Sequence, residues 1–290
     1  MPTKIEKDSV TGTETTGHEW DGIKELNSPL PRWWLYVMYA CIVWSVAYWF
    51  IFPAIPWIDG YTRGLLGYNQ RDALEQQLAA ARERQAVLRD GIDKASLQEI
   101  RNDAQLLQFA VAGGGIAFAD NCAGCHGLGG AGQRGGYPSL ADDAWIWGGT
   151  LDAIHTTLQH GIRWDDADTR WSEMPGFGEL GILTEAEISD VADYALSLSG
   201  SAGNAAAIAR GAEVFEFQCA ACHGDQGTGM EDVGAPNLAD RIWLYGGERE
   251  QIVAQIAQPE HGVMPGWSGR LDPAAIKMLT VYVHTLGGGQ

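Results

Sequence analysis

Basic residues are scarce in this sequence of 290 residues, where 19 Lys and Arg stand against 37 Asp and Glu and the formal net charge is −18 at pH 7. Proteins that bind nucleic acid neutralise its phosphates with Lys and Arg, so this composition argues against a nucleic-acid partner. Hydrophobic residues make up 46% of the chain, which is enough for packed cores and argues against general disorder. At roughly 150 residues per domain, the length leaves room for about two domains.

The features of a cleaved signal peptide are also missing, because the polar region before residue 33 is acidic and no A-x-A-like site follows the first apolar segment. That segment, residues 33–52, is the one long hydrophobic run and carries no formal charge. A helix needs roughly 20 such residues to cross a bilayer core of about 30 Å. The sequence therefore predicts a tail at 1–31 and an uncleaved transmembrane anchor at 32–57, with a buried soluble helix as the alternative.

Residues 58–104 follow as a predicted helical linker, rich in Gln, Glu, Arg, Ala and Leu from Asn69 onward. The tetrapeptides D-A-L-E at 72–75 and S-L-Q-E at 96–99 resemble the capping boxes that begin helices. Its charged residues are interpreted as a solvated helix face with no chemical role.

Cysteine is rare too, with five in the chain. Cys41 lies within the apolar run and is interpreted as a small apolar residue facing lipid or a partner helix. The other four occur in two copies of one motif, C-A-G-C-H at 122–126 and C-A-A-C-H at 219–223.

The residues that follow each motif repeat as well. Each copy continues with Pro, Leu, Trp and Gly-Gly, then Met-Pro-Gly, and closes with a helical stretch that has a cap residue, Thr184 or Asp272, at its start. The sequence therefore predicts a mainly α protein in which two homologous small domains, 105–200 and 204–290, stand in tandem after the anchor and linker.

C-x-x-C-H is the attachment signature of c-type haem, in which two thiols form thioethers with the porphyrin and the histidine binds the iron. Two copies predict two covalently bound haems c. A zinc site built from all four cysteines leaves the histidine after each pair unexplained. A thioredoxin-like dithiol requires a βαβ context, which the Gly- and Ala-rich helical surroundings do not offer.

A haem that only carries electrons needs a sixth ligand, and methionine is the ligand that raises the potential. Met174 and Met264 are the predicted ligands, because each lies in a loop well downstream of its motif and precedes a proline that favours extended backbone. Met230, seven residues after His223, is too close to reach the opposite face of the ring. The other histidines of the two domains are interpreted as ordinary polar residues without a catalytic role: His155, His160, His261 and His284.

One further run narrows the protein class. Residues 18–34 read H-E-W-D-G-I-K-E-L-N-S-P-L-P-R-W-W and lead directly into the membrane segment. Together with one anchor and two C-x-x-C-H domains, this run resembles the dihaem P subunit of cbb3-type cytochrome c oxidases, also called the FixP type, over nearly the whole chain. The resemblance implies two class I cytochrome c domains and the single-anchor form of the family.

The resemblance also implies site residues. One haem would be held by Cys122, Cys125, His126 and Met174, and the other by Cys219, Cys222, His223 and Met264. The backbone carbonyls of Pro138 and Pro236 would orient the two proximal histidines.

The implied role is electron transfer without an oxygen-reducing site of its own. Electrons would pass from a basic c-type cytochrome or a bc1 complex toward the monohaem and catalytic subunits of a proton-pumping oxidase. Because haem c is attached outside the bacterial cytoplasm, both haem domains would be periplasmic and the tail cytoplasmic, with the anchor in the inner membrane. The alternatives are a dihaem carrier for a dehydrogenase or a bc1 complex, a dihaem peroxidase with one open haem, and a haem-based sensor or assembly factor.

Overall fold

The computed structural model describes residues 4–201, 203–287 and 289, and it confirms the predicted mainly helical fold. The chain divides into two compact units, residues 1–84 and 85–290. The helices, α1 to α11 in chain order, are Arg32–Ile51, Gln70–Lys94, Leu97–Asn102, Ala104–Asn121, Ala123–His126, Leu151–His160, Glu185–Leu198, Ala205–Gln218, Ala220–His223, Arg249–Ala257 and Pro273–His284.

The N-terminal unit begins with a β-hairpin that the sequence analysis missed. Strands β1, Thr15–Trp20, and β2, Ile23–Leu26, pair antiparallel, with Trp20 opposite Ile23. The two-residue turn between them is Asp21-Gly22, and both residues have positive φ angles, 49° and 85°. Asp-Gly is a preferred pair for such a turn and was a usable signal in the sequence. A second short pair follows α1, formed by β3, Pro56–Trp57, and β4, Gly60–Tyr61.

Helix α1 coincides with the predicted anchor. It ends at Ile51, just before Pro53, and none of its residues is buried within the protein. It is long and apolar enough to cross a membrane, and within the described residues it is the one helix that meets this test. Its exposed apolar surface favours a membrane span over a helix buried in a soluble core.

Three of the predicted helix starts are confirmed and one is wrong. Ser96 and Glu99 form a capping box at α3, and Thr184 caps α7 in the same way. Asp272 caps α11, which begins with the proline that follows it. The box expected at 72–75 does not form, because α2 already begins at Gln70 and the side chain of Asn69 accepts a hydrogen bond from the amide of Arg71 at 2.9 Å. Asn69 is a good residue for this role, and it fixes the helix start three residues earlier than Asp72 would.

The end of the linker belongs to the second unit and does not act only as a spacer. Ile92 and Ile100 are fully buried, in a cluster with Met278 and Val281 of α11. The Nζ of Lys277 donates to the carbonyls of Ile92, Asp93 and Ala95 at 2.8–3.2 Å. These contacts fix the linker to the last helix of the chain.

Two helix crossings organise the second unit, and each brings together helices from different motif copies. Helix α4, which precedes the first motif, packs on α11 at the end of the second copy. Helix α8, which precedes the second motif, packs on α7 at the end of the first copy. A glycine lies at each closest approach, Gly114 against Met278 and Tyr282, and Gly211 against Asp190 and Tyr194.

The first and last helices of one copy therefore do not pack on each other. The family resemblance to cytochrome c holds for each copy, but the last helix of each lies against the first helix of the other. The second unit therefore has two lobes, and each lobe combines helices from both motif copies.

Candidate cofactor sites

The first motif forms a short helix between two loops. Cys122 is the N-cap residue of α5 and His126 is its last residue. The Nδ1–H of His126 donates to the carbonyl oxygen of Pro138 at 3.0 Å. This bond fixes the ring orientation and the tautomer, and it leaves Nε2 with a free lone pair for a metal.

The second motif has the same geometry. Cys219 caps α9, and the Nδ1–H of His223 donates to the carbonyl oxygen of Pro236, also at 3.0 Å. In each copy the carbonyl of the histidine accepts a backbone N–H, from Gly132 at 2.7 Å and from Gly229 at 2.8 Å. The two proximal loops are thus built alike, down to the glycine that closes them.

Burial shifts the pKa of the histidine and of the first cysteine in each motif. Burial lowers the pKa of His126 and of His223, although the hydrogen bond to the proline carbonyl acts in the opposite direction. Both histidines are therefore held in the neutral form that ligates iron. Burial also raises the pKa of Cys122 and of Cys219 to about 11, so both stay protonated as thiols.

The two candidate methionines lie in different apolar clusters. Met264 packs against the cluster that contains Cys122, together with residues of α4, α6 and α11: Phe118, Ile154, Leu158, Ile276, Leu279 and Val283. Met174 packs against the cluster that Cys219 also joins, with residues of α7, α8 and α10: Ile188, Val191, Ala192, Phe215, Ile252 and Ile256.

This arrangement packs each methionine with the motif of the other copy, whereas the resemblance implied the motif of its own copy. The physical reason is that the backbone of each methionine loop is hydrogen-bonded to a helix of the other copy. Phe177, after Met174, donates its N–H to Ile256 of α10 at 3.2 Å, and Trp267, after Met264, donates its N–H to Leu158 of α6 at 2.9 Å. Each methionine loop is thus fastened to a helix of the other copy.

The residues present fit a c-type haem at both places. Two thiols and an oriented neutral histidine lie on one helical turn, which is the donor set that covalent haem attachment requires. A methionine loop reaches each cluster from a different part of the chain and can present a thioether sulfur as a second axial donor.

The remaining residues singled out in the sequence take structural positions. Met278 is buried in the core between α4 and α11, whereas Met230 is 38% exposed. His160 lies 2.9 Å from Asp166, and Asp168 joins them in a small group of potential metal ligands. The pKa of His155 is lowered, mainly by burial. His284 is buried on α11.

Three residues near the sites were missed by the sequence analysis. Arg163 donates hydrogen bonds to both methionine loops. Trp147 and Tyr245 occupy equivalent positions in the two copies. Trp147 packs on Gly234, two residues before Pro236, and Tyr245 packs on Gly136, two residues before Pro138. The usable signal was the glycine at the same position of both copies, which marks a place where a ring approaches the backbone closely.

Comparisons with known proteins place three parts of the chain. Residues 12–59 match the profile of the N-terminal domain of cytochrome oxidase-cbb3, FixP, and residues 110–199 match cytochrome c. Residues 206–283 match the profile of cytochrome c oxidase, cbb3-type, subunit III.

Full-length relatives extend these matches over the whole chain. The cbb3-type cytochrome c oxidase subunit CcoP of an Azospirillum species is 52% identical over 98% of both chains. The FixP subunit of Azorhizobium caulinodans is 50% identical, covering 98% of this chain and 96% of the relative. The CcoP subunit of Cereibacter sphaeroides is 47% identical over the full length of both.

Proposed function

Because this chain belongs to the CcoP/FixP family of cbb3-type cytochrome c oxidase subunits, we propose that it is a membrane-anchored dihaem electron carrier of such an oxidase. It accepts electrons from a basic c-type cytochrome or a bc1 complex and passes them toward the monohaem and catalytic subunits. When bound, haem c supplies a reversible one-electron iron couple. The chain's own residues hold two such groups, keep each iron closed to outside ligands and keep the two close together in one unit.

The proposed ligand sets follow the contacts of the second unit. The first haem would be attached to Cys122 and Cys125, and its iron would be held by His126 and Met264. The second would be attached to Cys219 and Cys222, and its iron would be held by His223 and Met174. Pro138 and Pro236 orient the two histidines through their carbonyl oxygens.

One observation carries the proposal: each cysteine-histidine motif shares its apolar cluster with a methionine. A peroxidase needs one haem with an open distal side, where peroxide can reach the iron. A thioether donor at both sites favours a carrier and gives both irons a raised potential. The oxygen chemistry and proton pumping are accordingly assigned to other subunits, and this chain is the non-catalytic entry point for electrons.

The proposed topology follows from haem attachment. The tail 1–31 lies in the cytoplasm, the single span lies within 32–57, and everything from residue 58 onward is periplasmic, on the outer face of the bacterial inner membrane. The domains at 105–200 and 204–290 are the two units of haem attachment, although their final helices are exchanged.

The test uses the full-length chain purified with its haems from solubilised membranes. The wild type is expected to carry two haems per chain, to be low-spin at both, and to bind no carbon monoxide. A chain with Cys219→Ser and Cys222→Ser retains only the first haem. In that background Met264→Ala is expected to open the iron fully to carbon monoxide, and Met174→Ala is expected to change its carbon monoxide affinity far less.

Three results separate the readings. Carbon monoxide binding by the wild type at one haem would favour the peroxidase and overturn the carrier. Opening by Met174→Ala in place of Met264→Ala would restore the pairing within each copy. Membranes that assemble an active oxidase without this chain would favour a sensor and would exclude both the carrier and an assembly factor.

A further inference from the structure

The loop that precedes Met174 is longer than its counterpart in the other copy. Met174 follows the end of α6 by 14 residues, whereas Met264 follows the end of α10 by 7. The extra length runs through Ile162 and Arg163 before it reaches Met174. The two copies therefore differ in the length of the loop that precedes the methionine.

The backbone at Arg163 is held in an unusual conformation. Its φ angle is 50°, in the left-handed region that residues other than glycine seldom adopt. The neighbouring Ile162 exchanges two hydrogen bonds with Met264, N to O at 2.9 Å and O to N at 3.0 Å, and the N–H of Arg163 donates to Arg170 at 2.9 Å. Such strain persists where the surrounding bonds over-determine the backbone, so these bonds aim the Arg163 side chain.

The guanidinium of Arg163 joins the two methionine loops. Its Nε–H donates to the carbonyl oxygen of Gly262 at 2.7 Å, and its Nη1–H donates to the carbonyl oxygen of Ser172 at 2.8 Å. Ser172 and Gly262 each lie two residues before a methionine, Met174 and Met264. One side chain thus holds equivalent points of two loops that serve different apolar clusters.

Two further bonds reinforce the junction. The Nε2–H of His261 donates to the carbonyl oxygen of Met174 itself, at 3.2 Å. The N–H of Gly262 donates to the hydroxyl oxygen of Tyr245 at 2.8 Å, so both backbone polar groups of this residue are hydrogen-bonded. The Tyr245 ring packs on Gly136, two residues before Pro138, which orients the histidine of the first site.

We propose that Arg163 is a positioning residue that ties the two methionine loops together, so that the sixth ligands of both haem sites are held as one unit. The inference rests on the proposed function, because the loops carry ligands only if the two methionines bind iron. Arginine suits the role because its planar fork presents several N–H donors in fixed directions, whereas lysine presents a single point of charge. Arg163 belongs to the longer methionine loop of the first copy, and this one side chain contacts both loops.

The experiment measures both sites in the full-length chain with its haems. In Arg163→Gln the methionine-bound population is expected to fall at both sites, because both loops lose a hydrogen bond to a charged donor. The apparent affinity for carbon monoxide scales with the open fraction. It is expected to rise at each haem to at least about tenfold above the detection limit that the wild type sets, and the far-red sulfur-to-iron charge-transfer band of the oxidised protein is expected to weaken for both.

Two variants guard against a trivial loss of folding. Arg163→Gly removes the side chain at a position where glycine tolerates the positive φ angle, so this variant is expected to fold and still to loosen both sites. Arg270→Gln removes the same charge from a side chain that lies over the rings of Trp164 and Trp267, and it is expected to leave both sites closed. Haem content and helical circular dichroism are followed in every variant.

Each outcome decides between the two proposals. If the wild type itself lacks the sulfur-to-iron band, the methionine ligands and the proposed carrier are wrong. If the wild type shows the band for both haems but Arg163→Gln opens only one site or neither, the carrier stands and the tie between the loops is wrong. If Arg270→Gln opens the sites as far as Arg163→Gln does, lost charge and not the bridge accounts for the effect.

A double-mutant cycle measures the coupling itself. Met174→Ala in the wild-type background is expected to raise the apparent carbon monoxide affinity of the other haem, because its loop loses a fixed partner. In the Arg163→Gln background the same change is expected to have a smaller effect on that haem. Equal effects in the two backgrounds would show that Arg163 transmits nothing between the loops.

Discussion

Replacing Gly114 by alanine tests the crossing of α4 on α11, on which the exchange of the two copies depends. A methyl group at this position would lie 2.6 Å from the Cβ of Tyr282, and closer still to the carbonyl oxygen of Met278. Both are parts of the neighbouring helix that cannot rotate away. The helices would have to separate, and the buried contacts beneath them would loosen.

The neighbouring glycine provides a matched control. A methyl at Gly115 would lie 3.2 Å from the ring edge of Tyr282, a side chain that can turn aside. Both substitutions occur in the same helix and gain the same helix propensity, about 0.8–1 kcal/mol. Only the change at Gly114 adds overpacking against backbone, which costs about 1–3 kcal/mol.

The expected difference in unfolding free energy between the two variants is therefore about 2 kcal/mol, with Gly114→Ala the less stable. For a unit the size of residues 85–290, this corresponds to about 4–8 °C in Tm. Thermal unfolding of the solubilised proteins with their haems, followed by circular dichroism and haem absorption, measures it. The loosening should appear first at the haem attached to Cys122 and Cys125, since α4 and α11 line that site. Equal Tm values for the two variants would refute the close approach of the two helices.

Three further predictions concern charge and topology. Protease added to spheroplasts should remove the haem domains and spare the tail 1–31, and a tail cut from outside would reverse the topology. From residue 105 onward 8 Lys and Arg stand against 23 Asp and Glu, so this region is strongly acidic. Its reduction by a basic c-type cytochrome, measured by stopped flow, should slow steeply as added salt shortens the Debye length to about 8 Å. A rate that does not change with salt would show that docking does not depend on charge. The pKa of Asp190 is lowered, chiefly by its hydrogen bond from Arg210. The stability that this pair provides is therefore present at neutral pH, and it is lost as the pH falls through the lowered pKa, below roughly pH 4. The Tm advantage of the wild type over Arg210→Gln should vanish there, and an advantage that persists in strong acid would assign it to other contacts of Arg210.

Local patterns predicted local structure well. The uncharged run at 33–52 became α1, and the Ser96 and Thr184 capping boxes form as expected, because each depends on residues a few positions apart. The Asp21-Gly22 hairpin turn was equally local and was overlooked. The burial of Ile92 under α11 was not predictable, because the linker's composition does not reveal which distant surface covers it.

Helix pairing is the part that composition could not decide. Helices α4 and α8 carry the same glycine and phenylalanine spacing, Gly114 with Phe118 and Gly211 with Phe215. The closing helices offer equivalent tyrosines, Tyr282 against Phe118 and Tyr194 against Phe215. Either opening helix is thus complementary to either closing helix, and the pattern is equally consistent with packing within a copy and between copies.

The connection between the copies does decide it. Helix α7 ends at Leu198 and α8 begins at Ala205, so only six residues separate them. Consecutive elements joined by a short connection usually pack together, which places α7 on α8 and leaves α4 to pair with α11. The methionine loops precede these closing helices and are carried across with them, which brings Met174 to the second motif and Met264 to the first. The two loops pass each other on the way, and Arg163 lies where they meet, so the bridge between the two methionine loops is a consequence of the short connection that exchanges the helices.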